Sequence, residues 1–285
     1  MQQRTRYRSA AALPWLAAGA AFLFLYWSPI TGTFQLWLDD PDAGHGLLLA
    51  PVAAFLAWRA GLSPERRPQP VAGAAILAFA VALRYVSGLA AELFTMRLSA
   101  LAAIFGLIVF AWGFRQARHW WLPAVLLALS IPLPEVLIGT LALPLQFRAS
   151  RLGAALLEWR HVPVSLAGNV ILLPNHTLFV TEACSGLRSL SALLALGFLI
   201  GGLWLKTWWA RSALVVTAIP IAMVLNSMRI FLTGFAVFFI DPDLGRGLMH
   251  YTEGWAMFLA AFGALGALAW LLSRGETTLL KRRAA

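Results

Sequence analysis

The sequence predicts an all-α protein. It is a polytopic membrane helical bundle of about eight transmembrane helices, with a small amphipathic helix and hairpin segment on its outer face. Three observations lead there. Hydrophobic residues make up 60% of the 285 residues and charged residues only 12%, against about 25% charged in soluble domains. Mean hydropathy is +0.76, more apolar surface than a water-soluble chain of this length can bury. The apolar residues also fall into long runs separated by short basic or polar connections.

The elements follow in order. A basic start, MQQRTRYRS, gives way to Ala10–Pro29. That run is about twenty residues, too long for a typical signal-peptide core, so it reads as an uncleaved first span. Uncharged or nearly uncharged runs continue at Gly46–Trp58, Val71–Leu89 (interrupted by Arg84), Leu98–Phe114, Trp120–Pro134, Ser189–Leu205, Ser212–Ile240 (interrupted by Arg229) and Gly254–Ser273. Gly46–Trp58 and Trp120–Pro134 are short for a span and need flanking residues or local bilayer thinning. No internal repeat or second soluble domain is evident. The chain therefore reads as one integral membrane domain over 1–285, containing an outer segment at 135–182 and a basic tail at 274–285.

Lysine and arginine set the orientation. With the N-terminus in the cytoplasm, the inner side collects Arg4, Arg6, Arg8, Arg59, Arg66, Arg67, Arg115, Arg118, Lys206, Arg211, Arg274, Lys281, Arg282 and Arg283, fourteen of the 22 basic residues. Eight spans return the C-terminus to the same side. The net charge of +10 is thus explained by the positive-inside bias. No nucleic-acid motif accompanies it, so no nucleic-acid partner is expected; membrane lipid is. One cysteine allows no intrachain disulfide, and one Cys with five scattered His builds no structural zinc site. No metal or cofactor is expected.

Three segments face outward. Ile30–His45 carries Asp39, Asp40, Asp42 and His45. Glu135–Glu182 is the longest; up to Arg160 it mixes Leu and Ala with Arg148, Arg151 and Glu158, the pattern of an amphipathic helix on the outer leaflet. Val162–Val180 alternates loosely around the turn signals "AGN" and "LPN", which predicts a short hairpin. Asp241–Glu253 is the third. Arg84 and Glu92, at the outer end of the third span, form a candidate structural pair.

Chemistry-bearing residues converge on that face. Cys184, the only cysteine, precedes the sixth span. Alone it reads equally as a small buried residue or as a reactive thiol. Ser185 and Gly186 suit a helix start with Ser185 as N-cap, and a helix N-terminus favours thiolate. Arg188 follows four residues after the cysteine, on the same helical face. Arg229, in "LNSMRIF", falls in the outer half of the seventh span, where an arginine snorkels or has a function; Asn226 shares its face. His250, in "GLMHYTEGW", precedes the eighth span; a histidine there, taken by itself, is more often an interfacial residue with no chemistry. Glu182 either orients His250 or only sits at the interface. Together Cys184, His250 and Arg229 suffice for acyl transfer, as nucleophile, general acid–base and oxyanion stabiliser. Spacing alone does not show that they touch.

At these residues the chain resembles the exosortase/archaeosortase family of membrane cysteine transpeptidases, exosortase branch. The resemblance rests on "VTEACSGLRSL" at 180–190, "NSMRI" at 226–230 and "HYTEGW" at 250–255. "AGHGLLLAPVAAFLAWR" at 43–59, "SIPLP" at 130–134 and "AGNVILLP" at 167–174 extend it over nearly the whole chain. It implies that Cys184, Arg229 and His250 are a catalytic triad in a bacterial inner-membrane enzyme with its site facing the periplasm. It also implies substrates that are secreted proteins with a C-terminal tripartite signal: a Pro-Glu-Pro-like motif, a transmembrane helix and a basic cluster. An acyl-enzyme would pass to an envelope acceptor, in systems linked to exopolysaccharide. Arg188 or Arg246, by outward position, would pair with the motif's glutamate. Two other readings stand beside this one. A plain peptidase would use water as acceptor, and a non-catalytic transporter or polysaccharide-assembly factor would line a pathway with Arg229 and Arg84. No repeat-related halves support the transporter.

Overall fold

The computed structural model describes the chain except residues 1, 41–42, 133, 175, 180–186, 242–247 and 285; the side chains of 2–13, 135, 137–139, 141–143, 179, 187–189, 248–255 and 280–284 also lie outside the description. The described chain is mostly helical and divides into two compact units, Met1–Pro132 and Leu133–Ala285.

The first unit holds α1 (Gln2–Asp39), α2 (Gly46–Ala60), α3 (Pro70–Leu89), α4 (Leu93–Trp112), α5 (Phe114–His119) and α6 (Trp121–Leu129). Helix α1 runs through Pro29 and takes in most of the outer segment expected as loop from Ile30. A proline in a helix removes one N–H and frees the carbonyl four residues earlier. Here that carbonyl belongs to Leu25, and Arg84 Nε donates to it at 3.3 Å. Thr33 Oγ1 donates back to Pro29 O at 2.6 Å, and Thr31 Oγ1 to Trp27 O at 3.0 Å. Arg84 therefore engages α1, not Glu92, its expected partner. Tyr26 is 1% exposed, and its hydroxyl donates toward Ser99 O (3.2 Å) and Ala80 O (3.4 Å). This ties α1 to the antiparallel α3–α4 pair around Tyr26, Ala80 and Ala103.

Glu92 starts α4. Its carboxylate accepts from Phe94 N at 3.0 Å and Thr95 N at 2.7 Å, two of the donors a helix leaves orphaned at its N-terminus. Bonding to Thr95, helped by Phe94 and the Arg97 charge, holds this carboxyl below its usual value. A depressed carboxyl contributes stability above its unfolded value, about 4.3, and loses it as pH falls through the lower folded value. Glu92→Ala is thus expected to lower stability by about 1 kcal/mol at neutral pH. Melting curves of both proteins in detergent should converge as pH drops below about 4; a gap that persists in acid would show that the cap does not depend on charge.

The connections of this unit are fastened by side chains. Gln116 is fully buried; its Oε1 accepts from Ser63 N at 2.7 Å and its Nε2 donates to Gly61 O at 3.3 Å. Trp120 Nε1 donates to the same Gly61 carbonyl at 2.9 Å. At the other end of α2, Trp37 Nε1 donates to Ser130 O at 2.9 Å. Pro123 lacks the N–H that would bond back to His119, which separates α5 from α6.

Five helical segments are long and apolar enough to cross a membrane among the described residues: Pro14–Asp39, Pro70–Leu89, Leu93–Trp112, Trp208–Phe239 and Ala256–Leu279. Eight were expected. Gly46–Ala60 and Leu190–Trp204 are shorter apolar helices. In the run expected at Trp120–Pro134 only nine residues are helical, about 14 Å of rise against a hydrocarbon core of about 30 Å. An apolar run reports burial in something apolar; it does not fix the length of the helix inside it.

The second unit holds α7 (Glu135–Trp159), β1 (Ser165–Ala167), β2 (Val170–Leu173), β3 (His176–Phe179), α8 (Leu187–Trp204), α9 (Trp208–Phe239) and α10 (Leu248–Ala284). The expected hairpin is a three-stranded antiparallel meander, β1-β2-β3. Its two turns fall at the expected signals, between Ala167 and Val170 and between Leu173 and His176. Helix α7 has the expected two-sided pattern, with Arg148, Arg151 and Glu158 exposed. Its apolar stripe, however, is covered by protein. Ala149 and Leu157 pack with Val162, Ile171, Leu173, Ile230 and Val237 of the sheet and α9, so this half of α7 does not lie flat on a leaflet. Amphipathic periodicity cannot tell lipid from protein as the apolar partner. Helix α9 has 32 residues, about 48 Å, and so exceeds the bilayer core with length to spare for this packing.

Gly153 makes the α7–α9 approach. A Cβ there would lie 2.5 Å from Ile230 Cγ2, so no larger residue fits without moving the helices apart. Leu157 meets Gly234 in the same way, and four residues on each helix separate the two contacts, so α7 and α9 run parallel here. Helices α8, α9 and α10 form a second core around Leu193, Leu214, Ala218, Ala261 and Leu265. Glu276 on α10 is 2% exposed. Its carboxylate accepts from Lys206 N (3.1 Å), from Thr207 N (2.7 Å) and from the Thr207 hydroxyl. It caps the start of α9, where Thr207 supplies no side-chain cap of its own. The tail expected from 274 is thus helical and begins inside this contact.

Candidate active site

Of the eight residues singled out in the sequence, the structure describes the side chains of Arg229 and Asn226, both on α9. Arg188 and His250 are described through their backbones: Arg188 is the second residue of α8 and His250 the third of α10. Glu182, Cys184, Ser185 and Arg246 lie outside the described residues.

Asn226 is 6% exposed and Ser227 3%. The polar stretch Asn226–Ser227–Arg229 therefore sits inside the bundle. Ser227 Oγ donates to Met223 O at 2.8 Å, and Thr233 Oγ1 donates to Arg229 O at 2.9 Å, so both hydroxyls are spent within the helix. Asn226 and Arg229 each interact with their surroundings. Ile230, next to Arg229, is pinned by Gly153 of α7, which fixes the rotation of α9 at this level.

The helices around Arg229 have readable registers. Gly197 of α8 lies against Val215 of α9, and Gly201 against Arg211, so α8 and α9 are antiparallel. Glu276 of α10 meets Thr207 at the start of α9, so α10 is antiparallel to α9 as well. The starts of α8 and α10 and the C-terminal half of α9 consequently share one end of this unit. Continuing the α9–α10 register brings Arg229 level with Gly254, about one turn from His250.

The family model of the transmembrane exosortases (Exosortase_EpsH) matches residues 37–267. The chain belongs to this family. Exosortases are transmembrane cysteine transpeptidases, and this one is a multi-pass membrane enzyme with several apolar helices long enough to cross a bilayer. No curated protein and no solved structure matches the exosortase chain. The match spans "TEACSGLRSL", "NSMRI" and "HYTEGW" in one stretch and takes in α2 through most of α10.

Reading the sequence missed two buried polar residues of this exosortase, Gln146 and Ser150 of α7. They are 3% and 0% exposed. The available signal was their spacing with Gly153, at i, i+4 and i+7 along a helix otherwise rich in Leu and Ala, which puts all three on one face.

Proposed function

We propose that this exosortase cleaves the C-terminal sorting signal of secreted proteins through a Cys184 acyl-enzyme and hands the acyl group to an envelope acceptor. Cys184 thiolate attacks the scissile carbonyl and forms a tetrahedral oxyanion, which Arg229 stabilises by charge and paired N–H donors. His250, holding the thiol proton, gives it to the departing amine as the C–N bond breaks, leaving a thioester. His250 then takes a proton from the acceptor nucleophile, whose attack releases the thiol. Ser185 caps the entry to α8, Asn226 and Glu182 orient the polar groups, and Arg188 and Arg246 meet the acidic residue of the signal.

The observation that carries this reading is register. The starts of α8 and α10 share one end of this unit with the C-terminal half of α9, which bears Arg229, and Cys184 and His250 flank those two starts in sequence. Family membership adds a sorting-signal protein as the substrate class. In the same reading α2, α6 and α8, too short or barely long enough on their own, complete eight crossings of a bacterial inner membrane with the help of flanking residues and local bilayer thinning, as one integral domain. Both termini and the tail from 274 are cytoplasmic, and 135–182 and the site face the periplasm. The signal's helix lies among the spans, its basic end inside, in an exopolysaccharide-linked system.

Hydroxylamine tests the acyl-enzyme. With purified enzyme and a cognate substrate, the released fragment should end in a hydroxamate, and mass spectrometry should find a thioester at Cys184. Cleavage that proceeds with neither species would remove the covalent mechanism. Water as the natural acceptor would show as a free C-terminal acid in cells.

A further inference from the structure

Five arginines gather at one end of the first unit, where α2 ends, α3 begins and α4 gives way to α5. Arg59, Arg66 and Arg67 come from the end of α2 and its connection to α3; Arg115 and Arg118 come from α5. All five are exposed. The single acid among them is Glu65.

The backbone that carries them is fixed. Buried Gln116 accepts from Ser63 N and donates to Gly61 O, and Trp120 Nε1 reaches the same carbonyl. His119 Nε2 donates to Ala60 O at 3.1 Å. Arg67 N donates to Trp112 O at 3.0 Å and Gln69 N to Val109 O at 3.2 Å. Arg66 Nη1 turns back to Ser63 O at 3.3 Å. The positive-inside bias explains on which side arginines accumulate. It does not require two separate connections to be tied into one platform.

A tryptophan layer borders that platform. Trp112 stacks on Trp15 of α1 with ring centroids 5.8 Å apart and meets Trp120 edge-on at 5.8 Å. Trp58, Leu62 and Phe114 are exposed beside it. Tryptophan concentrates at the headgroup level of a bilayer, so these arginines stand where lipid phosphates lie. Glu65 is the one competitor already in place. It meets Arg115 at 3.4 Å with both side chains more than half exposed, a pairing that yields readily.

We infer that this platform is a binding surface for anionic phospholipid headgroups. Guanidinium forks pair two N–H groups with phosphate oxygens, and the rim of Trp58, Leu62 and Phe114 lies against the acyl chains. A zwitterionic headgroup brings its own cation and gains less. The surface belongs to the first unit and is independent of the chemistry proposed at Cys184.

Native mass spectrometry and thermal melts of the full chain in neutral detergent test it, with phosphatidylglycerol, phosphatidylcholine and inorganic phosphate as probes. Wild type should retain phosphatidylglycerol in preference to phosphatidylcholine and melt higher in its presence. Arg118→Gln should weaken phosphatidylglycerol binding about fivefold, the usual contribution of one arginine near an anionic lipid surface. Arg59→Gln/Arg67→Gln/Arg118→Gln should weaken it more than about tenfold. Glu65→Gln should tighten it, because Arg115 is released. Without lipid these variants should melt with wild type, since only exposed side chains have changed. Arg148→Gln/Arg151→Gln removes two exposed charges of α7 and should bind as wild type does. Equal retention of the two lipids, or wild-type binding by the triple variant, overturns the surface. Displacement of phosphatidylglycerol by inorganic phosphate at matched concentration also overturns it, in favour of a simple anion site. Displacement by a decaglutamate peptide overturns it in favour of a protein-docking face.

Discussion

Cys184→Ala is expected to abolish processing of a cognate substrate, a fall of roughly 10³-fold or more, because no other thiol exists in the chain to form the thioester. The variant should still accumulate in the membrane, since one small residue replaces another. Arg229→Ala should cost about 10²–10³-fold, the usual loss when a donor to a developing oxyanion is removed. Arg229→Lys keeps the charge but loses the planar fork, so it should fall between wild type and alanine. Alkylation separates the roles. If Arg229 also steadies the thiolate, Arg229→Ala slows modification of Cys184 by iodoacetamide. Activity retained by Cys184→Ala would remove the nucleophile assignment, and full activity in Arg229→Lys would remove bidentate recognition.

Gly113→Ala should be the most damaging single methyl in the first unit. Gly113 has φ of 81°, a conformation costing an alanine roughly 1–2 kcal/mol by itself. The added Cβ would also sit 1.9 Å from the Arg67 carbonyl oxygen, a backbone atom with no side-chain freedom to yield. That oxygen belongs to a clamp in which Arg67 N donates to Trp112 O at 3.0 Å and Phe114 N donates to Gln69 Oε1 at 3.2 Å. Relieving the clash opens both bonds, so a total of about 3 kcal/mol or more is expected. Gly61 is the control. It has φ of 64° and open space around its Cβ position, so Gly61→Ala should show the conformational cost alone. Thermal melts in detergent should place Gly113→Ala well below Gly61→Ala; equal shifts would mean the loop at Arg67 simply moves aside.

The starts of α8 and α10 reach the end of the unit that holds the C-terminal half of α9. The α7 register adds Gln146 and Ser150, two residues absent from the sequence-based set. Their types are unremarkable in a surface helix; only the tertiary structure shows that both are buried and that Ser150 Oγ has no hydrogen-bond partner among the described residues.

Much about this exosortase was legible in the amino-acid order alone. Hydropathy and the arginine distribution marked a multi-pass membrane chain. The "AGN" and "LPN" turns marked the strands, and the motifs around Cys184, Arg229 and His250 carried the family. Local chemistry determines these features: apolar runs leave water, turn residues bend the backbone where they stand, and reactive side chains are visible by type. Tertiary structure decided the rest. Which carbonyl satisfies Arg84 depended on the N–H that Pro29 lacks. Whether the α7 stripe meets lipid or protein depended on the surplus length of α9 and on the close approach at Gly153. How many apolar runs become full-length helices depended on breaks such as the one at Pro123. Each of these couples residues far apart in sequence, and a one-dimensional pattern holds no record of which apolar or polar partner will be adjacent in space.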